Sequence, residues 1–238
     1  MAAHADNHLI ALLPRRDRAS LLAASEAVQL NLGTVLCKRG GTMRYVYFPG
    51  DAIVSLVTAV EGEPSLEVGM VGREGMLGAQ LSLGVTAIPL HALVQGTGTA
   101  WRVAAPAFRR ELSNSKPLQL SLKRYVYVLM AQLATSAACM RFHSVEPRLA
   151  RWLLMTQDRT RSDGFHLTHE FLAHMLGVRR VGITGAASHL QRQGLIRYRR
   201  GDITVLDRLG LEAAACSCYA ADRHAYDTTV GDARRTTS

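Results

Sequence analysis

The stretch "LTHEFLAHMLGVRRVGITGAASHLQRQGLI", Leu167–Ile196, decides the fold. Two apolar-periodic segments meet at Gly177, a residue suited to a tight turn. In the first, Phe171, Leu172, Met175 and Leu176 recur at helical spacing behind Thr168, a residue type that caps helix N-termini. In the second, from about Arg179 to Gln193, Ile183, Ala186, Ala187 and Leu190 form the inward stripe. Arg180, Thr184, Ser188 and Gln191 then share the outer face, with Arg179 and Val181 at its leading end. Gly182 and Gly185 leave that face low enough for a duplex backbone to come close. An arginine at the front of such a helix can make a bidentate bond to guanine O6 and N7. The helix N-termini, with Thr168 and His169, are placed to hold phosphates.

The next segment is "LIRYRRGDITVLD". Two β-prone runs flank a turn at Arg200–Gly201–Asp202, which makes a hairpin carrying Arg197, Arg199 and Arg200. Two helices joined by a tight turn and followed at once by a basic hairpin read as a winged helix-turn-helix. Charge agrees. The chain of 238 residues carries a formal net charge of +9. No acidic residue falls between Glu170 and Asp202, while Arg179, Arg180, Arg192, Arg197, Arg199 and Arg200 all do. A one-signed stripe on a compact module suits a polyanion, double-stranded DNA first. The bland alternative is a solvated arginine surface on a structural helical hairpin.

Upstream of this module lies a long apolar-periodic segment, about 117–142, read as one helix of roughly 39 Å at the usual rise. Leu118, Leu122, Tyr125, Val126, Leu129, Leu133, Ala137 and Met140 recur in alternating steps of three and four, the pattern of a coiled-coil seam. A helix packed on its own β-domain would show the same spacing. Lys123, Arg124, Gln132 and Ser136 leave a polar face, which favours a homodimer seam through Leu118, Leu122, Tyr125, Leu129, Leu133 and Met140. Residues 106–114 read as a short helix. "FHSVEPRLARWLLMTQDRT" reads as another, with Pro147 in its first turn and a hinge near Phe142–Ser144.

From about 28 to 108 the texture changes to short β-prone runs punctuated by glycine, the pattern of a sandwich or barrel. Residues 9–27 read as two short helices either side of Pro14. The ends, 1–8 and about 222–238, offer no periodic apolar face and are expected to be flexible. No apolar run is long enough for a transmembrane helix, and the N-terminus does not read as a secretory signal, so a cytoplasmic protein that does not enter membranes is expected. The four cysteines, Cys37, Cys139, Cys216 and Cys218, form no CxxC pair and read as free thiols. Cys216-Ser-Cys218 with His224 downstream fits no zinc template, so no metal and no cofactor are expected.

With these parts in this order, the chain resembles bacterial transcription regulators of the CRP/FNR superfamily. The resemblance covers about residues 10–212. It rests on "YVYFPGD" and "VGREGMLG" in the first half and on the long helix with "RLARWLL" in the middle. At the end it rests on "LTHEFLAHMLGVRR", "LQRQGLI" and "GDITVLD". It implies an α+β fold: an N-terminal β-roll (jelly-roll) sensor, a long dimerisation helix and a C-terminal winged helix-turn-helix. The expected boundaries are 1–115, 116–142 and 143–221, with 222–238 a flexible tail. It also implies RNA polymerase and an unknown small-molecule effector as partners. In the cyclic AMP receptor branch the recognition helix reads DNA through Arg, Glu and Arg. Those positions are Arg180, Val181 and Gly185 here, so the operator should differ.

The resemblance also locates an effector pocket, at Gly75, Met76, Leu77, Gly78, Ile88 and Leu90. Cyclic-nucleotide binders of the family hold the ribose with Gly-Glu and the phosphate with Arg-Ser. Met76 stands where that Glu would be, and "TAIPLHALVQ" offers no arginine. The iron–sulfur branch uses an N-terminal cysteine cluster, and no cysteine precedes Cys37. His91, the only histidine between residues 9 and 142, cannot alone make a haem or cupin-type metal site. The expectation is therefore a homodimeric, sequence-specific DNA-binding regulator and not an enzyme. Its alternatives are a constitutive DNA binder with a ligand-free roll and a β-roll metalloenzyme.

Overall fold

The computed structural model describes residues 7–58, 61, 65–160 and 162–231. They form two compact units. One is drawn from Met1–Leu56, Met70–Ala131 and Ala225–Ser238, the other from Val57–Gly69 and Gln132–His224.

The first unit opens with α1 (His8–Ala11) and α2 (Arg15–Ala23), set either side of Pro14. Asn7, only 1% exposed, caps α1 by accepting from the Leu9 and Ile10 amides, and its own amide donates to the carbonyls of Pro49 and Gly75. Residues 7 and 8 are thus built in, against the expectation of a flexible 1–8, of which 1–6 lie outside the described residues.

Among the described residues seven strands follow: β1 (Glu26–Leu30), β2 (Val35–Cys37), β3 (Tyr45–Pro49), β4 (Ile53–Thr58), β5 (Leu66–Val71), β6 (His91–Gly96) and β7 (Gly98–Ala104), with the end of β4 and the start of β5 counted in the second unit. They make two sheets, ordered β1-β7-β3 and β2-β6-β4-β5. Val46, Phe48, Ile53, Val54, Met70, Val94 and Val103 fill the core, and Phe108 of α3 (Ala105–Asn114) meets Phe48 with ring centroids 6.3 Å apart. The "YVYFPGD" motif has a structural purpose. The Asp51 carboxylate accepts from the Thr99 amide and hydroxyl at 2.6 and 2.8 Å, and Gly50 donates to the Thr99 carbonyl. That clamp brings Gly98 so near the chain that a Cβ there would stand 2.4 Å from the Ala52 nitrogen, so only glycine fits.

The long helix α4 (Lys116–Phe142) is present as expected, but its inward face is not the expected one. Leu118, Leu122, Tyr125 and Val128 are no more than 2% exposed within the first unit. The Tyr125 hydroxyl donates to the Met76 carbonyl at 3.4 Å and lies against Gly75. Leu118, Leu122 and Tyr125 therefore cannot form a seam with a second copy. Their burial against the protomer's own roll is already worth several kcal/mol at about 1.5–3 kcal/mol per large apolar side chain. Ser136, read as part of a solvent face, is also buried. The apolar face left uncovered carries Leu120, Tyr127 and Met130, each more than half exposed.

The second unit contains α5 (Val145–Thr160), β8 (Gly164–His166), α6 (His169–Leu176), α7 (Arg180–Arg192), β9 (Ile196–Arg199), β10 (Asp202–Val205), α8 (Arg208–Ala214) and the start of α9 (Cys218–Thr229). Its core is Leu149, Leu153, Leu172, Ile183, Leu190, Ile196 and Leu211. The sheet runs β8-β10-β9, antiparallel throughout. Arg200 and Gly201 turn β9 into β10 with φ of 52° and 91°, the two-residue hairpin loop with both residues left-handed. The flexible tail expected at 222–238 needs correction. Helix α9 runs on to Thr229, and Asp222 is buried with its carboxylate 2.6 Å from the Arg151 guanidinium. Positions 232–238 lie outside the described residues.

Candidate nucleic-acid interface

The two helices α6 and α7 stand as the sequence suggests. The Thr168 hydroxyl accepts from the Phe171 amide at 3.1 Å, and Gly177 closes α6 in the left-handed region at φ 62°. Arg179 is the residue before α7 and Arg180 its first. Ile183, Ala186, Ala187 and Leu190 point inward. Thr168, Arg179, Arg180, Val181, Thr184 and Ser188 are all exposed, as are Arg199 and Arg200 of the hairpin. Val181 is 75% exposed, a large apolar side chain with nothing to cover it. At Gly185 an added Cβ would meet nothing within 4 Å. At Gly182 it would make an ordinary contact with Val145 of α5 at 3.6 Å, so this position faces that helix rather than the outer surface.

Three polar residues assigned to the outer surface are partly committed within it. His169 stacks on Tyr198 of β9 with ring centroids 4.2 Å apart, and its Nδ1 is hydrogen-bonded to the Thr184 hydroxyl at 3.0 Å. Burial, and then the nearby Arg180 charge, lower the imidazole's pKa, which favours the neutral ring. Thr184 also bonds back to the Arg180 carbonyl at 3.1 Å. The Gln191 side chain accepts from the Tyr198 amide at 2.6 Å. These contacts join α6, α7 and the hairpin into one surface. Sequence periodicity put these groups on one face but could not reveal the His169–Thr184 and Gln191–Tyr198 bonds, because those partners are 15 and 7 residues apart in the chain.

The residues expected to line an effector pocket in the roll are packed. Met76, Leu77 and Ile88 are 1–6% exposed, Leu77 exchanges backbone hydrogen bonds with Tyr47, and a Cβ on Gly75 would fall 2.2 Å from the Tyr125 hydroxyl. Gly78 is similarly crowded by Met43 and Val46. Leu90 is half-buried. The second unit has an open cleft of about 770 Å³, lined by Thr58, Leu66, Met140, Arg148, Glu170 and Arg180 among others. Among the described residues no helix is long and apolar enough to cross a membrane.

Comparison with known proteins fits this geometry. Residues 147–214 match the Crp-like helix-turn-helix domain. A search of the curated proteins finds no match. Among solved structures the chain is similar to FixK2 from Bradyrhizobium japonicum, at 12% identity and a TM-score of 0.66 over 81% of this chain and 98% of that one. It is similar to a transcriptional regulator of the CRP family from Thermus thermophilus, at 18% identity and a TM-score of 0.64 over 79% and 96%. A third is a c-di-GMP-responsive global regulator from Xanthomonas campestris, at 16% identity and a TM-score of 0.58 over 81% and 99%.

Proposed function

We propose that the chain, which has the fold of CRP/FNR-type regulators and a Crp-like helix-turn-helix domain at residues 147–214, works as a homodimer that binds specific DNA sites and regulates transcription. One observation carries the reading. An exposed helix face with Arg179, Arg180, Val181, Thr184 and Ser188 lies beside a hairpin bearing Arg197, Arg199 and Arg200, with no acidic residue between Glu170 and Asp202. Arg180 reads a base, Val181 offers a methyl-sized contact to thymine, and the hairpin arginines with Thr168 hold phosphates. Two such helices, one per protomer, read half-sites one turn apart, about 34 Å. The sensing roll, 1–115, and the winged domain, 143–221, are joined by the helix 116–142, through which an effector would shift the spacing by its differential affinity for two states. RNA polymerase is the partner at promoters, and the protein carries out no catalysis.

Selection of bound duplexes from a random pool defines the operator. Arg180→Ala is then expected to weaken operator binding by about 1–3 kcal/mol and relax preference at one position. Equal weakening on operator and random DNA would assign Arg180 to phosphate, and failure of the wild type to enrich any sequence would overturn specific binding.

The roll is not expected to take cyclic AMP or cyclic GMP. Met76 offers no carboxylate to a ribose and is itself core, and the stretch 86–95 contains no arginine. An unpaired phosphate charge in an apolar roll costs several kcal/mol, and a lost charge-assisted hydrogen bond adds about 1.5–3 kcal/mol. Each 1.4 kcal/mol, roughly, is a factor of ten in affinity, so a micromolar ligand moves to millimolar or beyond. Calorimetric titration is expected to show no saturable micromolar binding. Saturable binding with a matching rise in operator affinity would overturn this view of the pocket.

A further inference from the structure

We propose that Cys139, His143, Cys216 and Cys218 form a tetrahedral zinc site that ties the end of α4 to the start of α9. The four residues offer three sulfurs and one ring nitrogen, all within 4.8 Å of one another. The sequence hides the site, because the two pairs lie more than seventy residues apart and neither Cys139-x-x-x-His143 nor Cys216-x-Cys218 is a familiar half-site. The fold assembles it. Cys139 lies in the last turn of α4 and His143 directly follows its end, with the His143 amide donating to the Cys139 carbonyl at 3.1 Å, so the turn continues and both face the same way. Cys216 and Cys218 lie in the turn that begins α9, which the Tyr219 amide closes by donating to the Cys216 carbonyl at 3.0 Å.

The distances suit a metal better than a disulfide. Zinc bonds of about 2.3 Å to sulfur and about 2.0–2.1 Å to nitrogen imply tetrahedral edges of about 3.8 Å between sulfurs and about 3.6 Å between sulfur and nitrogen. Cys139 Sγ and Cys216 Sγ are 3.5 Å apart, and Cys218 Sγ is 3.6 Å from His143 Nδ1. A disulfide needs about 2.05 Å, and with three thiols around one point any pairing leaves the third without a partner. Donor chemistry selects the ion. Three thiolates and an imidazole are the ligands of a zinc centre, whereas magnesium and calcium require oxygen. All four positions are filled by protein and the three cysteines are 1–8% exposed, which makes the site closed and structural.

Charge around the cluster is matched as well. Zinc with three thiolates carries one net negative charge. The guanidinium groups of Arg148 and Arg151 both interact electrostatically with Cys139 and Cys216. Arg151 is held by Asp222 and by the Ser136 hydroxyl, and Arg148 donates to the Leu176 carbonyl at the end of α6, so the outer shell reaches the helix-turn-helix. Binding displaces the thiol protons, up to three, to solvent as the sulfurs become thiolates.

The test uses the full chain, purified under reducing conditions without chelator. Elemental analysis is expected to find about one zinc per protomer. Protein stripped of metal and titrated with cobalt(II) should give the visible bands of a tetrahedral ion and thiolate-to-metal charge transfer in the near ultraviolet. Cys218→Ser and Cys216→Ser should lose the bound zinc, while Cys37→Ser, in the first unit, should keep it. Should either serine variant fail to fold, the wild-type cobalt spectrum decides. Reduced protein that takes up no zinc, a cobalt spectrum without thiolate bands, undiminished zinc in the serine variants, or a Cys139–Cys216 disulfide in place of metal would each overturn the proposal.

Discussion

Asp222→Ala is expected to destabilise the helix-turn-helix unit by about 3–5 kcal/mol, the cost of leaving a buried charge without its partner. The Asp222 carboxylate and the Arg151 guanidinium are 2.6 Å apart, with side chains 7% and 11% exposed. Water can screen neither. Burial pushes the Asp222 carboxyl up, and the Arg151 charge and hydrogen bond pull against that rise. Once the carboxylate is gone, Arg151 keeps the Ser136 hydroxyl at 3.3 Å as a hydrogen-bond partner, and its buried Nε has none. Such a loss is a large part of the stability of a domain this size. Replacing both charges together, Arg151→Met with Asp222→Leu, should recover most of it, because the cost lies in the unpaired ion rather than in losing the pair. Denaturant unfolding followed by Trp152 fluorescence measures both. A loss under about 1 kcal/mol for Asp222→Ala would mean that the pair behaves as an exposed one.

If the chain works as the proposed homodimer, Met130→Glu is expected to give monomers and to weaken operator binding by a factor of about 10²–10⁴, the gain that two linked binding sites have over one. Met130 is 59% exposed, Tyr127 58% and Leu120 51%, all on α4 and each three or seven residues from the next. Ala134 and Ala137 continue the same heptad stripe and are exposed. A glutamate there would bury a charge against its own symmetry mate. Leu129, Leu133 and Met140, also on α4, are half-buried. Leu122→Glu makes the contrast, because Leu122 is fully buried in the protomer. It should lower the stability of the roll rather than dissociate a folded dimer. Sedimentation at several concentrations separates the two outcomes. An unchanged dimer for Met130→Glu would move the seam to another surface.

The sequence by itself determined the helix-turn-helix and its hairpin. Thr168 as cap, Gly177 as turn, the inward stripe of α7 and the Arg200–Gly201 hairpin are set by neighbours within a few residues. Helical and strand periods record such relations directly. Arg179, Arg180, Val181 and Ser188 are exposed on the structure as that periodicity placed them. The face of α4 was another matter. Leu118-Leu122-Tyr125 and Leu120-Tyr127-Met130 are both apolar stripes at helical spacings of three, four or seven, and nothing local ranks one above the other. Tertiary structure decided between them. The roll presents Gly75, which has no side chain to keep the Tyr125 ring out, together with the Met76 carbonyl to receive its hydroxyl. The same holds for Asp222 with Arg151, 71 residues apart, and for Cys139 with Cys216, 77 apart. A short periodic pattern says which way a side chain points. Only the packed fold determines what it meets there, because that partner is brought in by the burial of residues far along the chain.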